Sequence, residues 1–124
     1  MSGSLKSKSD KCWELADELR VRCDFNNCAS RVYYSVFQAV VFYAIKKEGY
    51  DPEKAQHLKR NVHNEMRNIV MNKLFALKDI YEDMRLLRNT ADYDPDDVNA
   101  TDLENHTWNS MQTIRDFFLK EAEK

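Results

Sequence analysis

The residues Arg88-Asn89-Thr90-Ala91-Asp92-Tyr93-Asp94-Pro95 bring a cation, an amide, carboxylates and a phenol together where a helical pattern runs out. Pro95 ends the helix, because proline lacks an N–H and its predecessor is pushed out of the helical region. A guanidinium offers a planar fork of donors that suits a carboxylate or a phosphate. Helical phasing puts Tyr81, Arg85, Arg88 and Asp92 on one stripe, at i, i+4, i+7 and i+11, so Arg88 and Asp92 can pair. Arginine ahead of the acid is the weaker orientation, worth only a few tenths of a kcal/mol when exposed. A second stripe with the same spacing comprises Arg31, Ser35, Gln38 and Phe42. Polar groups on a mostly buried helix must be satisfied by neighbours, by water or by a ligand.

Other chemistries find little support. Glycine-rich phosphate loops, GxSxG and HExxH are absent. The acidic run Asp94, Asp96, Asp97, Asn99 and Asp102 lacks the central glycine and terminal glutamate of a calcium loop, and reads as solvated charge. Cys12, Cys23 and Cys28 form no CxxC, and an odd count reads as reduced, packed thiols of a cytosolic protein. On one continuous helix His57 and His63 would point about 240° apart, which is poor geometry for a shared metal and favours exposed or capping roles. No motif asks for a metal ion or a cofactor.

The elements that must position these residues are helical. With 2 Gly and 2 Pro in 124 residues, 43% hydrophobic and 32% charged, the chain reads as one all-α domain over 1–124, with a flexible lead-in at 1–8 and a frayed tail at 120–124. A first helix is expected from Ser9 or Asp10, with Cys12, Leu15, Leu19 and Cys23 on its buried face and Trp13 and Ala16 widening it. Asn26 or Asn27 can cap a central helix from Cys28 to Glu48. From Val32 to Ile45 that helix is almost wholly apolar, yet too short for a membrane span of about 20 residues. Gly49 and Pro52 close it. A third helix is expected from Pro52 or Ala55 to Val70 with Leu58, Val62, Met66 and Ile69 inward, and a fourth from Lys73 to Ala91 with Leu77, Ile80, Met84, Leu87 and Ala91 inward. Thr101-Asp102-Leu103-Glu104 fits a capping box opening a last helix along Leu103, Thr107, Met111, Ile114 and Phe118. The net charge of −2 gives no global pull toward polyanions, but residues 53–73 carry five Lys/Arg against two Glu.

Two segments together carry a resemblance. Ala29-Ser30-Arg31-Val32-Tyr33-Tyr34, followed by Arg88-Asn89-Thr90-Ala91-Asp92-Tyr93, resembles the small bacterial and archaeal branch of the HEPN family, over about Leu5 to Leu119. The resemblance implies an up-and-down bundle of about five helices, usually a homodimer. Many members are ribonuclease toxins beside a nucleotidyltransferase-like antitoxin, and others bind nucleotide or RNA without catalysis. The family's arginine and its polar neighbour fall on Arg88 and Asn89; the candidate catalytic residues are Arg88 with Asp92 and Tyr93 as stand-ins, and the candidate nucleotide-binding ones are Arg31, Tyr34, Arg88 and Asn89. Active members carry a histidine about four to six positions after the arginine. Here Asp92, Tyr93 and Asp94 stand there, and the next histidine is His106. Imidazole suits acid–base work near neutral pH, whereas a phenol with an ordinary pKa of about 10 is a poor base. The reading is therefore a cytoplasmic nucleotide- or RNA-associated module, the toxin-like or accessory half of a two-component system with a nucleotidyltransferase partner. One alternative is a metal-independent endoribonuclease using Arg88. The other is a structural bundle in which Arg31, Arg88 and Asp92 form a buried network.

Overall fold

The computed structural model describes the backbone of residues 2–93, 98–103 and 105–124, and the side chains of these apart from 2–4, 90–93, 100 and 105. Six α-helices run in chain order among the described residues: α1 Ser2–Val21, α2 Phe25–Lys47, α3 Pro52–His57, α4 Val62–Lys73, α5 Lys78–Tyr93 and α6 Asn105–Ala122. Short 3-10 turns at Phe75–Leu77 and Ala100–Leu103 lead into α5 and α6. No strand occurs among these residues, in agreement with the all-α expectation. None of the described helices is long and apolar enough to cross a membrane.

Helix α2 is the axis. It packs against α1, α5 and α6 and more lightly against α4. Cys28, Ala29, Val32, Tyr33, Val36, Ala39, Val40 and Ala44 are all completely buried. Burying one valine or larger apolar side chain contributes about 1.5–3 kcal/mol, so this helix supplies the centre of the core. Asp24 stands at its N-cap without a side-chain bond to the backbone and instead accepts from Asn27 Nδ2 at 2.9 Å. Asn26, expected as a possible cap, accepts from Val98 N at 2.7 Å and ties the segment before α6 to the start of α2.

The polar side of α2 faces α1 and α6. Ser35 Oγ donates to Ser9 O and Ser9 Oγ to Ser35 O, both at 2.7 Å and fully buried. Arg115 of α6 donates from Nε to Ser9 Oγ at 3.0 Å, pairs with Asp10, and lies 5.8 Å from the Trp13 ring. This network fixes the face of α1. Its buried positions are Ser9 and Ala16, with Leu5, Trp13 and Leu19 partly covered, whereas Leu15 is 38% exposed and Cys23 is exposed. The expected stripe through Cys12, Leu15, Leu19 and Cys23 is thus rotated, and the helix begins at Ser2 rather than near Ser9.

The end of α1 has a paired-bond cap, with Asp24 N bonded to Leu19 O at 2.9 Å and Cys23 N to Arg20 O at 3.1 Å. That geometry needs a left-handed residue, usually glycine, and Cys23 takes the place at φ 62°. Cys28, by contrast, donates to Ala16 O at 3.2 Å, and burial pushes its thiol up to about 11, which leaves it protonated and unreactive.

The largest departure lies between α2 and α5. In place of the single expected helix from Pro52 or Ala55 to Val70, two short ones form. Asp51 caps α3 by accepting from Glu53 N at 3.0 Å. The chain then turns through Lys59, at φ 55°, with Arg60 N bonded to Ala55 O at 3.0 Å. Asn61 restarts the helix by accepting from Asn64 N at 3.1 Å. Leu58, expected inside, is 57% exposed on this turn. The break gives one helix more than the expected five.

At the other end, Asn99 and Asp102 cap each other reciprocally, N to Oδ2 at 3.0 Å and N to Oδ1 at 3.2 Å, and α6 starts at Asn105 rather than Thr101. Glu104 of the expected capping box, Pro95, and the acidic positions Asp94, Asp96 and Asp97 lie outside the described residues.

Candidate functional site

The amphipathic face of α5 sets the site. Tyr81 and Met84 are completely buried against the core, and Arg85 and Arg88, one and two turns on from Tyr81, are half-buried where α5 meets α2 and α4. Arg88 Nη2 donates to Tyr34 Oη at 2.5 Å, and Arg88 Nη1 to Asn89 Oδ1 at 3.3 Å. The Arg88 Cζ lies 5.1 Å from the Tyr34 ring centroid and 5.9 Å from that of Tyr33. Arg85 Nη1 donates to Asn64 Oδ1 on α4 at 2.9 Å. Glu82 approaches Arg85 at 3.9 Å but is held more closely by Arg67, at 2.7 Å.

Tyr33 joins the three helices. Its ring is fully buried 5.9 Å from that of Tyr81, and its hydroxyl meets His63 Nδ1 at 2.7 Å. The imidazole stacks on Phe37, with centroids 4.5 Å apart. Burial, then the fields of Arg88 and Arg85, hold the His63 pKa below its ordinary value of 6.5, so the ring is neutral at physiological pH. Burial raises the pKa of Tyr33, outweighing the opposing influence of Tyr81, Arg85 and Arg88. Tyr81, almost wholly shielded, titrates well above 10. Its hydroxyl lies close enough to Tyr33 to act on that titration, but the two form no well-aligned hydrogen bond, and Tyr81 Oη has no protein partner.

Tyr34, Arg88 and Asn89, expected at the site, are therefore brought together. Arg31 is exposed, and no described hydrogen bond or ion pair joins it to Arg88. The polar stripe expected around it splits. Ser35 belongs to the serine–arginine network, Phe42 is buried, and Gln38 is half-buried with an Oε1 that has no protein partner. Tyr33 and Tyr34, not that stripe, face α5. Asp92 and Tyr93 end α5, but their side chains, and with them the expected Arg88–Asp92 pair, lie outside the described residues.

His63, expected in an exposed or capping role, is half-buried beside the arginines, while His57 is exposed. The helical-wheel comparison of the two fails because the turn at Lys59 separates their helices. A readable signal did exist: counted from an N-cap at Asn61, His63 shares the face of Met66 and Val70, both buried. Arg85 and Tyr81 already shared the Arg88 stripe. No group of three or more His, Cys, Asp or Glu among the described residues is arranged to hold a metal ion.

Chemically, the cluster offers two guanidinium forks, a neutral imidazole and phenol hydroxyls where α2, α4 and α5 meet. That set suits an anion with several acceptor oxygens. A surface hollow of about 480 Å³ adjoins it, walled by Phe37, Val41, Tyr50, Pro52, Ala55 and Val62, with Lys59 and Arg60 at its rim. Phe37 is common to both, so a polar cluster and an apolar hollow share one wall. Comparison with protein-family models, with curated proteins and with solved structures returns no match.

Proposed function

We propose that the protein is a HEPN-type nucleotide- or RNA-associated module in which Arg88, with Arg85 and Asn89, receives a phosphate group. The observation that carries this reading is the Arg88–Tyr34 bond at 2.5 Å, which joins the two segments of the family resemblance across 54 residues of chain. Tyr34 holds one edge of the guanidinium and so orients it, which reduces the side-chain entropy lost when an anion arrives. The apolar hollow beside Phe37 suits the base that accompanies a phosphate. On the same resemblance the module is cytoplasmic, forms a homodimer and serves as the toxin-like or accessory half of a pair with a nucleotidyltransferase. The exposed Leu86, on α5 beside Arg85, is a candidate contact for the second copy.

The test is binding of a short single-stranded RNA and of adenosine 5′-monophosphate to wild type and to Arg88→Ala, followed by fluorescence anisotropy and calorimetry. The reading expects affinity that falls with salt and is lost in the variant. Equal binding by both proteins, or none by either, refutes it.

A second reading, metal-independent RNA cleavage, gains from His63, which puts an imidazole beside Arg88 despite the lack of one at Asp92, Tyr93 and Asp94. It expects cleavage in EDTA that disappears in both Arg88→Ala and His63→Ala. RNA left intact by excess pure protein contradicts it.

A further inference from the structure

We propose that His63 takes up a proton when a phosphate group binds at Arg85 and Arg88, with Tyr33 and Tyr81 as the hydroxyl relay that adjusts to the change. The inference rests on the reading that Arg88 receives phosphate, and it adds a residue and a linkage to that site.

The geometry comes first. Tyr33 sits between the imidazole and the guanidinium, with its ring centroid 5.8 Å from that of His63 and 5.9 Å from Arg88 Cζ. Arg85 bonds Asn64, the residue next to His63, at 2.9 Å. The charged and titratable groups around the ring are Tyr33 and Tyr34 on α2, Arg67 on α4 itself, and Tyr81, Glu82, Arg85 and Arg88 on α5. Glu82 is held by Arg67 at 2.7 Å, so the fields that reach His63 most strongly are those of Arg88 and Arg85. Beyond them, Arg60 pairs with Glu65.

Burial keeps the imidazole neutral, and the two guanidinium charges add to it. An anion seated on those guanidinium groups cancels their field and leaves only the burial. The protonated ring becomes more favourable, and a proton enters from solvent. No bond to phosphorus forms or breaks.

The hydroxyls explain how the interior tolerates this. In the neutral ring, Nδ1 can accept from Tyr33. In imidazolium both ring nitrogens donate, so Tyr33 Oη must accept from Nδ1 and its own proton needs another acceptor. The Tyr81 hydroxyl, almost wholly shielded and without a protein partner, is next to it. Tyr33 turns its proton from the imidazole toward Tyr81 Oη, and both hydroxyls stay protonated because burial raises both their pKa values.

The test follows the imidazole resonances of the full chain by NMR from pH 8 to pH 5, alone and saturated with a short 2′-O-methyl RNA. Its diesters do not titrate in this range and its backbone resists cleavage. The exposed His57 and His106 serve as internal references. The inference expects the His63 midpoint to move up on binding, and affinity to rise by up to about tenfold per pH unit as the pH falls between the free and bound midpoints. His63→Gln is expected to flatten that dependence, and the wild-type titration decides the matter even if the variant folds poorly. A His63 midpoint that stays put at saturation overturns this inference alone. Absence of binding at every pH overturns the phosphate reading and this inference with it.

Discussion

Ser9→Ala tests how the fold aims α2 at α5. Ser9 Oγ donates to Ser35 O at 2.7 Å and accepts from Arg115 Nε at 3.0 Å, beside a longer 3.4 Å contact with Ser35 Oγ. A neutral buried hydrogen bond contributes about 1 kcal/mol and one to a charged group about 1.5–3 kcal/mol. Arg115 keeps its contact with Asp10, which is about half exposed, so the second term falls toward its lower end. Ser9→Ala is therefore expected to cost about 2–3 kcal/mol. Ser35→Ala removes the donation to Ser9 O at 2.7 Å and the longer 3.4 Å contact with Ser9 Oγ that both substitutions share, and is expected to cost about 1 kcal/mol. The two serines are equally buried and clasp one another, so the asymmetry comes from Arg115 alone. For a chain of 124 residues, 1 kcal/mol corresponds to about 3–5 °C in Tm. Thermal and urea unfolding followed by far-UV circular dichroism measure both variants. If Ser35→Ala proves as costly as Ser9→Ala, Arg115 does not depend on the serine and the network is drawn wrongly.

Two further outcomes follow from local geometry. Cys23→Gly is expected to stabilise by about 1 kcal/mol, because Cys23 holds a left-handed conformation at φ 62° that glycine adopts without a Cβ penalty; a lower urea midpoint would contradict it. His63 has a folded pKa below its unfolded value, so below about pH 6.5 the unfolded chain binds the proton first and the native state loses stability. That loss is absent above pH 6.5 and is complete once the pH has passed below the folded pKa. His63→Gln should accordingly flatten the fall in urea midpoint between pH 7.5 and pH 5, and an unchanged slope would show that the imidazole is not held neutral.

Periodicity carried much of this architecture, and it failed where polar side chains or turns overrode it. Val32, Val36, Ala39 and Val40 mark α2 as the axis because the helix is apolar nearly all round. Tyr81, Arg85 and Arg88 already lay on one stripe of α5, so half of the site was legible. The turn at Lys59 was not, since Leu58, Val62, Met66 and Ile69 keep a helical spacing straight through a residue that adopts φ 55° without being glycine. Missing it turned His63 away from the arginines. Ser35 misled for a different reason: its spacing from Arg31 and Gln38 is that of one face, but its partner is Ser9, 26 residues earlier on another helix. Periodicity within one helix says nothing of such a partner.

The phosphate site can be located directly by titrating isotope-labelled protein with the short RNA and mapping the amide and side-chain shifts. The largest changes are expected at Arg85, Arg88 and Asn89, at the Asn64 side-chain amide, and at Tyr34 and His63, converging on the junction of α2, α4 and α5. Shifts confined to basic residues elsewhere, such as Arg20 and Arg22 at the end of α1 or Lys46 and Lys47 at the end of α2, would contradict this placement.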